Sequence, residues 1–400
     1  MYERSPTATW VSLSTLDADP HPTLARLRSA HPVAWVPALD GWMLTDHGHV
    51  LNAMRDDEGL TVDDPRFSTG QITGPSMLST DGPEHARHRT PFASPFRLDA
   101  IQSRFTSEAE RAVADLIDKF ANDGQVELRT ALAGPLAARM MFVALGLDTA
   151  FEREVLGWYT RIVDAVTRIT AGQPVPQDGL DAMTALGAAI RSSLLDATPE
   201  ASLLAAALDD AAELTEDELI ANAAVLLFGG IETTEGMIAN LLHHLLANPA
   251  AFDAIRDDPE LLTGAIEESL RLEPAAAVID RYATRDLKIG GVTIPCGDLV
   301  ILSIAAANRD PLQFPNPDNF DPARPNAKLH TTFATGPHVC LGMHLARLEA
   351  QAAVRFLLER LPDLRADPTR PSAPRGLVFR KPPTVWAVYA TGRPMGVPVA

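Results

Sequence analysis

Apolar residues recur at helical spacing along most of this chain, and only short stretches alternate as strands do. Residues 20–30, PHPTLARLRSA, read as a first amphipathic helix. Residues 32–46 read as two short strands around a turn at Asp40-Gly41. A turn-rich connection follows at 65–83, and a loop of that length is usually functional or mobile. Helical runs are predicted at 107–122, 128–145, 151–170 and 178–196, with a Gly/Pro break in AGQPVPQDG. The longest helix is predicted from Thr215 to Asn248-Pro249, with Thr215 and Glu218 as a capping box. At 1.5 Å per residue it would span roughly 50 Å, and its apolar middle predicts burial. Two more helices precede DLKIGGVTIPCGDLVILS, which reads as strands around Gly290-Gly291. A Pro-rich meander, PLQFPNPDNFDPARP, comes next, and Phe314 and Phe320 give it something to bury. A cysteine loop and a final helical run follow it. The order is mainly α, with small β regions toward both ends.

The 400 residues are 46% hydrophobic, ample for a large core. No Ser/Gly linker, repeat or low-complexity tract divides them, so one compact domain over 1–400 is expected. A formal net charge of −18 argues against nucleic-acid binding. No run approaches 18 uninterrupted apolar residues, so no membrane span is expected. The N-terminal residues lack a signal-peptide layout, and two separated cysteines offer no disulfide framework. A cytoplasmic protein is expected.

Of those cysteines, Cys340 sits in FATGPHVCLG between Gly336 and Gly342, directly ahead of the last helical run. Glycines there allow a tight turn and a close approach to something flat. A sulfur at a helix N-terminus has its thiolate stabilised and can ligate a haem iron. A small buried hydrophobe, a zinc ligand together with His338, and a catalytic nucleophile are the other readings of a lone cysteine.

The string resembles the haem-binding segment of the cytochrome P-450 family. Phe333, Gly336, His338, Cys340 and Gly342 fall in the places of that pattern, while Ala334 stands where many members carry Gly. The resemblance extends over essentially the whole chain and implies the cytochrome P-450 fold. It implies a long central helix over a haem b, with the Cys loop on the proximal side and Cys340 as axial ligand.

The long helix carries Gly229-Gly230-Ile231-Glu232-Thr233-Thr234. Two interior glycines cost about 1 kcal/mol each relative to alanine. Either close helix packing or a local opening for a small ligand would offset that. Gly229 and Thr233 are four apart and share a face. The string resembles the family's acid–alcohol pair, which implies that Thr233 hydrogen-bonds dioxygen while Glu232 relays protons. His85, Arg89, Arg281 and His338 match positions that contact the haem propionates. Glu268 and Arg271 match the family's Glu-x-x-Arg, with Arg324 of FDPAR as third member of a structural charged network.

The resemblance therefore implies a haem-thiolate monooxygenase that inserts one atom of dioxygen into an organic substrate. The chain has no flavin, nicotinamide or iron–sulfur signature. Electrons would come from a ferredoxin and its reductase, and NAD(P)H would act only indirectly. Arg97, Arg104, Lys328, His344 and Arg347 are basic candidates for docking that partner. A monomer is expected. Substrate walls are placed at 65–83 (Ile72, Met77, Leu78), around 165–180, at Val225, Phe228 and Gly229, at Val278 and Ile279, and at the Thr391-Gly392 turn. Small side chains in AAAVID favour a bulky apolar substrate, and the Ala-rich character resembles bacterial members acting on secondary metabolites, terpenoids, polyketides or steroids. The alternatives are a peroxide-driven peroxygenase and a non-catalytic haem or small-molecule binder.

Overall fold

The structure, a computed structural model, describes residues 4–148, 152–170, 173–194, 198, 202–210 and 214–391. They group into two compact units. One holds residues up to Leu60, Ala109–Leu136 and those from Thr233 onward; the other holds Thr61–Glu108 and Ala137–Glu232.

The first unit contains the main sheet. Its strands run in the order Val33–Val36, Gly41–Leu44, Leu299–Ser303, Val278–Ala283, and it ends on the short strand that begins at Leu60. Strand alternation separates two cores. Val33, Trp35, Trp42, Leu44, Val300 and Leu302 pack with Val50, Met54 and Ala283 on one face. Ala34, Val36, Met43 and Ile301 pack with Leu16, Leu24 and Leu27 on the other. Arg281 pairs with Val300 and so belongs to the first face, whereas Asp280 pairs with Ile301 on the second. A smaller sheet joins Gln125–Glu127, Trp386–Val388 and Arg365–Ala366. The sequence gives no warning of the Gln125–Glu127 strand, which pairs with Trp386–Val388 far along the chain.

The second unit is helical. In its 65–83 connection a short helix, Ser68–Thr73, forms. Asp81 accepts from the Val62 N–H and the Thr61 hydroxyl, both at 2.7 Å. The helices Glu152–Thr170 and Gln177–Leu194 meet at Gly179, where a Cβ would lie 2.4 Å from that of Ala165. Only glycine permits this approach.

Two helix boundaries differ from the sequence reading. The run expected at 107–122 is Leu98–Asp118, because Ile101, Phe105 and Ala109 extend the buried stripe backwards at i+4 spacing. The run expected at 128–145 opens with a π-helical turn, Arg129–Ala133, before Gly134–Leu145. Pro135, which has no N–H to donate, lies just inside the regular helix.

The long helix is Glu216–Ala247, with Glu216–Glu232 in the second unit and Thr233–Ala247 in the first. Its capping box forms: the Glu218 N–H donates to Thr215 Oγ1 at 3.3 Å, and the Thr215 N–H to Glu218 Oε2 at 2.8 Å. Among the described residues it is the one helix long and apolar enough to cross a membrane, yet 67% of that window is buried inside the protein. It is a core helix, as its all-round apolar middle requires.

Candidate active site

In the first unit the cysteine loop is built from backbone geometry. Its backbone turns left-handed twice, at Ala334 (φ 55°) and at Gly336 (φ 76°). A Cβ on Gly336 would come 2.8 Å from the Met54 carbonyl oxygen, so glycine is required there. The loop closes where the Cys340 N–H donates to the Phe333 carbonyl at 2.8 Å. Cys340 itself is exposed, which removes the buried-hydrophobe reading. Among the described residues, the group of His, Cys, Asp and Glu side chains close enough to hold a metal does not include it. Its helix, Met343–Arg360, begins three residues later, and a Cβ on Gly342 would meet nothing within 4 Å.

One ion network holds the meander ahead of this loop, and a second touches the loop itself. Glu268 and Arg271 are completely buried, and Arg271 Nε and Nη2 donate to the carboxylate at 2.7 and 2.9 Å. Arg324 Nε adds a bond at 2.9 Å to Glu268 Oε1. The remaining guanidinium N–H groups donate to carbonyls of Asn308, Pro315, Asn316, Pro317 and Asn319, which ties down the meander. The second network centres on Glu267. Arg347, read from sequence as a docking cation, donates to Glu267 at 2.6 and 2.9 Å and lies 4.4 Å over the Phe333 ring. Burial would raise the Glu267 carboxyl, but hydrogen bonds from Arg347 and His330 outweigh it and bring it down to about 2. Arg281, also buried, donates to the Asp280 carbonyl at 2.8 Å. It shares a sheet face with Ile279, which packs on the same core as Ala334 of the loop. Val278 faces the other way, onto the Leu16–Leu24–Met43 core, so these two residues do not share a wall.

In the second unit the helix Gly82–Ala93 carries His85, buried, and Arg89, half-buried, on one face. His88 lies fully buried on another. Asn222 fixes its tautomer. The Met77 N–H donates to Asn222 Oδ1 at 2.8 Å, so the Nδ2 group must be the one that meets His88 Nδ1, also at 2.8 Å. The proton of His88 is therefore on Nε2, facing Glu84 and Glu218 at 3.3 and 3.8 Å. Arg87 donates to both carboxylates and brings Glu218 down to about 2. These three ligand-type side chains form a closed ion network, because their cation is Arg87 and the imidazole lone pair is already used.

The two glycines of the long helix part company. A Cβ on Gly230 would lie 2.1 Å from Met141 Sδ, whereas one on Gly229 would meet nothing within 4 Å. Close packing and local opening both occur, one at each residue. Val225 and Phe228 are buried on the preceding turn. Ile72 and Met77 are buried and Leu78 half-buried. Glu232 is half-buried, and Tyr159 Oη donates to its Oε2 at 3.3 Å. Gly392, and Ala171 and Gly172 within the 165–180 stretch, lie outside the described residues.

The profile of the cytochrome P450 family matches residues 181–387. Cytochrome P450 107B1 of Saccharopolyspora erythraea is 35% identical over 370 residues, covering 87% of this chain and 89% of that protein. The chain belongs to the cytochrome P450 family. The 6-deoxyerythronolide B hydroxylase of the same organism is 31% identical over 86% of this P450 and 88% of its own length. The crystal structure of CalO2 superposes with a TM-score of 0.86 at 26% identity, covering 96% of this chain and all of that one. The mainly helical architecture is thus the P450 fold, and the enzyme is an oxidoreductase of the monooxygenase class.

Sequence reasoning missed three parts of this P450: the Arg347–Glu267 brace on Phe333, the Asn222–His88 junction, and Tyr159. The one signal was a tyrosine on an otherwise apolar stripe, since Val155, Ile162, Val166 and Ile169 share its buried face.

Proposed function

We propose that Cys340 is the thiolate holding the haem iron, and that the enzyme oxidises a bulky apolar metabolite with electrons from a ferredoxin and its reductase. The observation that carries this reading is the loop itself, an exposed thiol in a turn closed by the Phe333 carbonyl and passed tightly under Met54 by Gly336. The donor set fits haem. The sulfur is anionic when ligating, the open side of Gly342 leaves room beside it, and in the same unit Arg281 and His338 supply donors suited to propionates, while His85 and Arg89 match propionate-binding positions of the family. Bound haem supplies the two-electron activation of dioxygen and the delivery of one oxygen atom to substrate.

The chain's own groups do the rest. Thr233 Oγ1 holds a proton for the oxygen atom that leaves as water, and Glu232 resupplies it. Gly229, with open space beside it on the same face, keeps the helix wall clear. Ile72, Met77, Val225, Phe228 and Ile279 offer apolar surface to the substrate. The named substrate of the 6-deoxyerythronolide B hydroxylase supports a macrolide-like polyketide first, before a terpenoid or steroid. The acid–alcohol pair favours dioxygen over a peroxide-driven reaction, and the enzyme works as a cytoplasmic monomer.

The test is spectroscopic. Cys340→His abolishes the red-shifted carbon-monoxide band of the reduced haem; an unchanged band means another residue holds the iron. Thr233→Ala diverts electrons to peroxide, and fully coupled product formation in that variant refutes its role. A panel of macrolide aglycones, terpenes and steroids is scored by the haem spin-state shift, and the substrate class falls if no macrolide shifts it.

A further inference from the structure

Tyr159 stands on the buried stripe of the helix Glu152–Thr170, with only 8% of its surface exposed. Every other residue of that stripe is apolar: Val155, Ile162, Ala165, Val166 and Ile169. A phenylalanine would fill the site equally well, and a buried phenol adds the requirement of a hydrogen-bond partner. A partner that the fold supplies is Glu232, whose Oε2 accepts from Tyr159 Oη at 3.3 Å. Both residues belong to the second unit, on different helices.

We infer that Tyr159 is a positioning residue for Glu232, holding its carboxylate in the orientation from which it passes protons to Thr233. The inference rests on the proton-relay reading of Glu232 given above. The distance is longer than an ordinary phenol–carboxylate bond, and the contact acts on the orientation of the carboxylate. A glutamate side chain has three rotatable bonds, and a relay works only from conformers that reach the acceptor. Tethering one oxygen to a neighbouring helix narrows the set of conformers the carboxylate samples. Tyr159 transfers no proton in this scheme and touches no reacting atom.

Tyr159→Phe keeps the packing and removes the tether. The first readout is independent of turnover. In protein labelled with 13C-glutamate, the infrared difference between wild type and Glu232→Gln isolates the Glu232 carboxylate stretch. Tyr159→Phe shifts that band, and an unmoved band overturns the inference.

The second readout is coupling, measured with a surrogate ferredoxin and reductase. When proton delivery fails, dioxygen leaves with two electrons and two protons as hydrogen peroxide, instead of being divided between product and water. Tyr159→Phe raises the peroxide share about threefold or more, a fraction of the 100-fold or greater contribution of a positioned acid. It raises the solvent isotope effect with it, while the carbon-monoxide band stays unchanged.

A double-mutant cycle separates positioning from packing. In a Glu232→Gln background the phenylalanine has no further effect; an equal effect in both backgrounds marks a packing role and overturns the inference. If Glu232→Gln itself leaves coupling untouched, the relay reading fails and takes this inference with it. If Glu232→Gln leaks peroxide and Tyr159→Phe does not, the inference alone fails.

Discussion

Gly229 and Gly230 are adjacent, chemically identical and central to one helix, yet alanine should stabilise at the first and be neutral to destabilising at the second. Either substitution recovers about 1 kcal/mol of helix propensity. At Gly229 no described residue opposes that gain, since the new methyl meets none of their atoms within 4 Å. At Gly230 the methyl would lie 2.1 Å from Met141 Sδ and 2.6 Å from its Cγ. Met141 is itself buried on the helix Gly134–Leu145, so it cannot swing into solvent. Overpacking of this kind costs about 1–3 kcal/mol, which leaves Gly230→Ala neutral to about 2 kcal/mol less stable. At about 2.1 cal/mol/K of unfolding entropy per residue, 1 kcal/mol moves the midpoint of a chain this long by roughly 1 °C. Thermal melts of the haem-loaded variants, replicated to a few tenths of a degree and backed by urea titrations, resolve the difference. Gly229→Ala should melt above wild type and Gly230→Ala at or below it. The stabilised variant should also be the functionally impaired one, because its methyl enters the face shared with Thr233. Gly230→Ala melting at or above Gly229→Ala would refute the assignment of packing to one glycine and opening to the other.

Three further outcomes follow from single contacts. Arg324→Ala leaves Glu268, which has no solvent access, with one cation instead of two and should cost about 3–5 kcal/mol in urea denaturation; a loss below 1 kcal/mol would show that the meander does not depend on this network. Ala334→Gly relieves a left-handed backbone at φ 55°, a strain of roughly 1–2 kcal/mol, against about 0.4–1 kcal/mol of added chain entropy in the unfolded state. It should raise the melting midpoint slightly, and a fall of more than a degree would mean that the Ala334 methyl matters more than the strain. Glu349 is buried with Oε2 lacking a hydrogen-bond partner among the described residues, and burial raises its carboxyl well above the ordinary value of 4.5. The unfolded chain then binds fewer protons than the folded one above about pH 4.5, so this group subtracts stability as pH rises, by about 1.4 kcal/mol per unit until its folded pKa is passed. Glu349→Gln should remove that slope, seen as a stability difference that grows in the variant's favour between pH 5 and 8; a pH-independent difference would refute it.

What the sequence discloses and what it hides divides along the distance between partners. The cysteine loop is legible because its geometry is local. A glycine that must be left-handed, a phenylalanine whose carbonyl closes the turn and the thiol itself all lie within eight positions. Glu268 and Arg271 are legible as a pair because three residues is one helical turn. The brace that Arg347 makes is silent for the opposite reason: its partner, Glu267, is 80 residues away, so in sequence Arg347 is one more cation near the cysteine. Tyr159 and Glu232 are 73 residues apart and equally silent.

The glycine pair sits between these cases. Sequence poses the choice between packing and opening but cannot resolve it, because both explanations predict a missing side chain. The fold resolves it through the helix itself. Neighbouring residues project about 100° apart on a 3.6-residue turn, so Gly230 can meet Met141 while Gly229 faces the side on which Thr233 lies. Two adjacent glycines are needed because two demands fall on one turn of a buried helix from two directions, and a single glycine could meet only one of them.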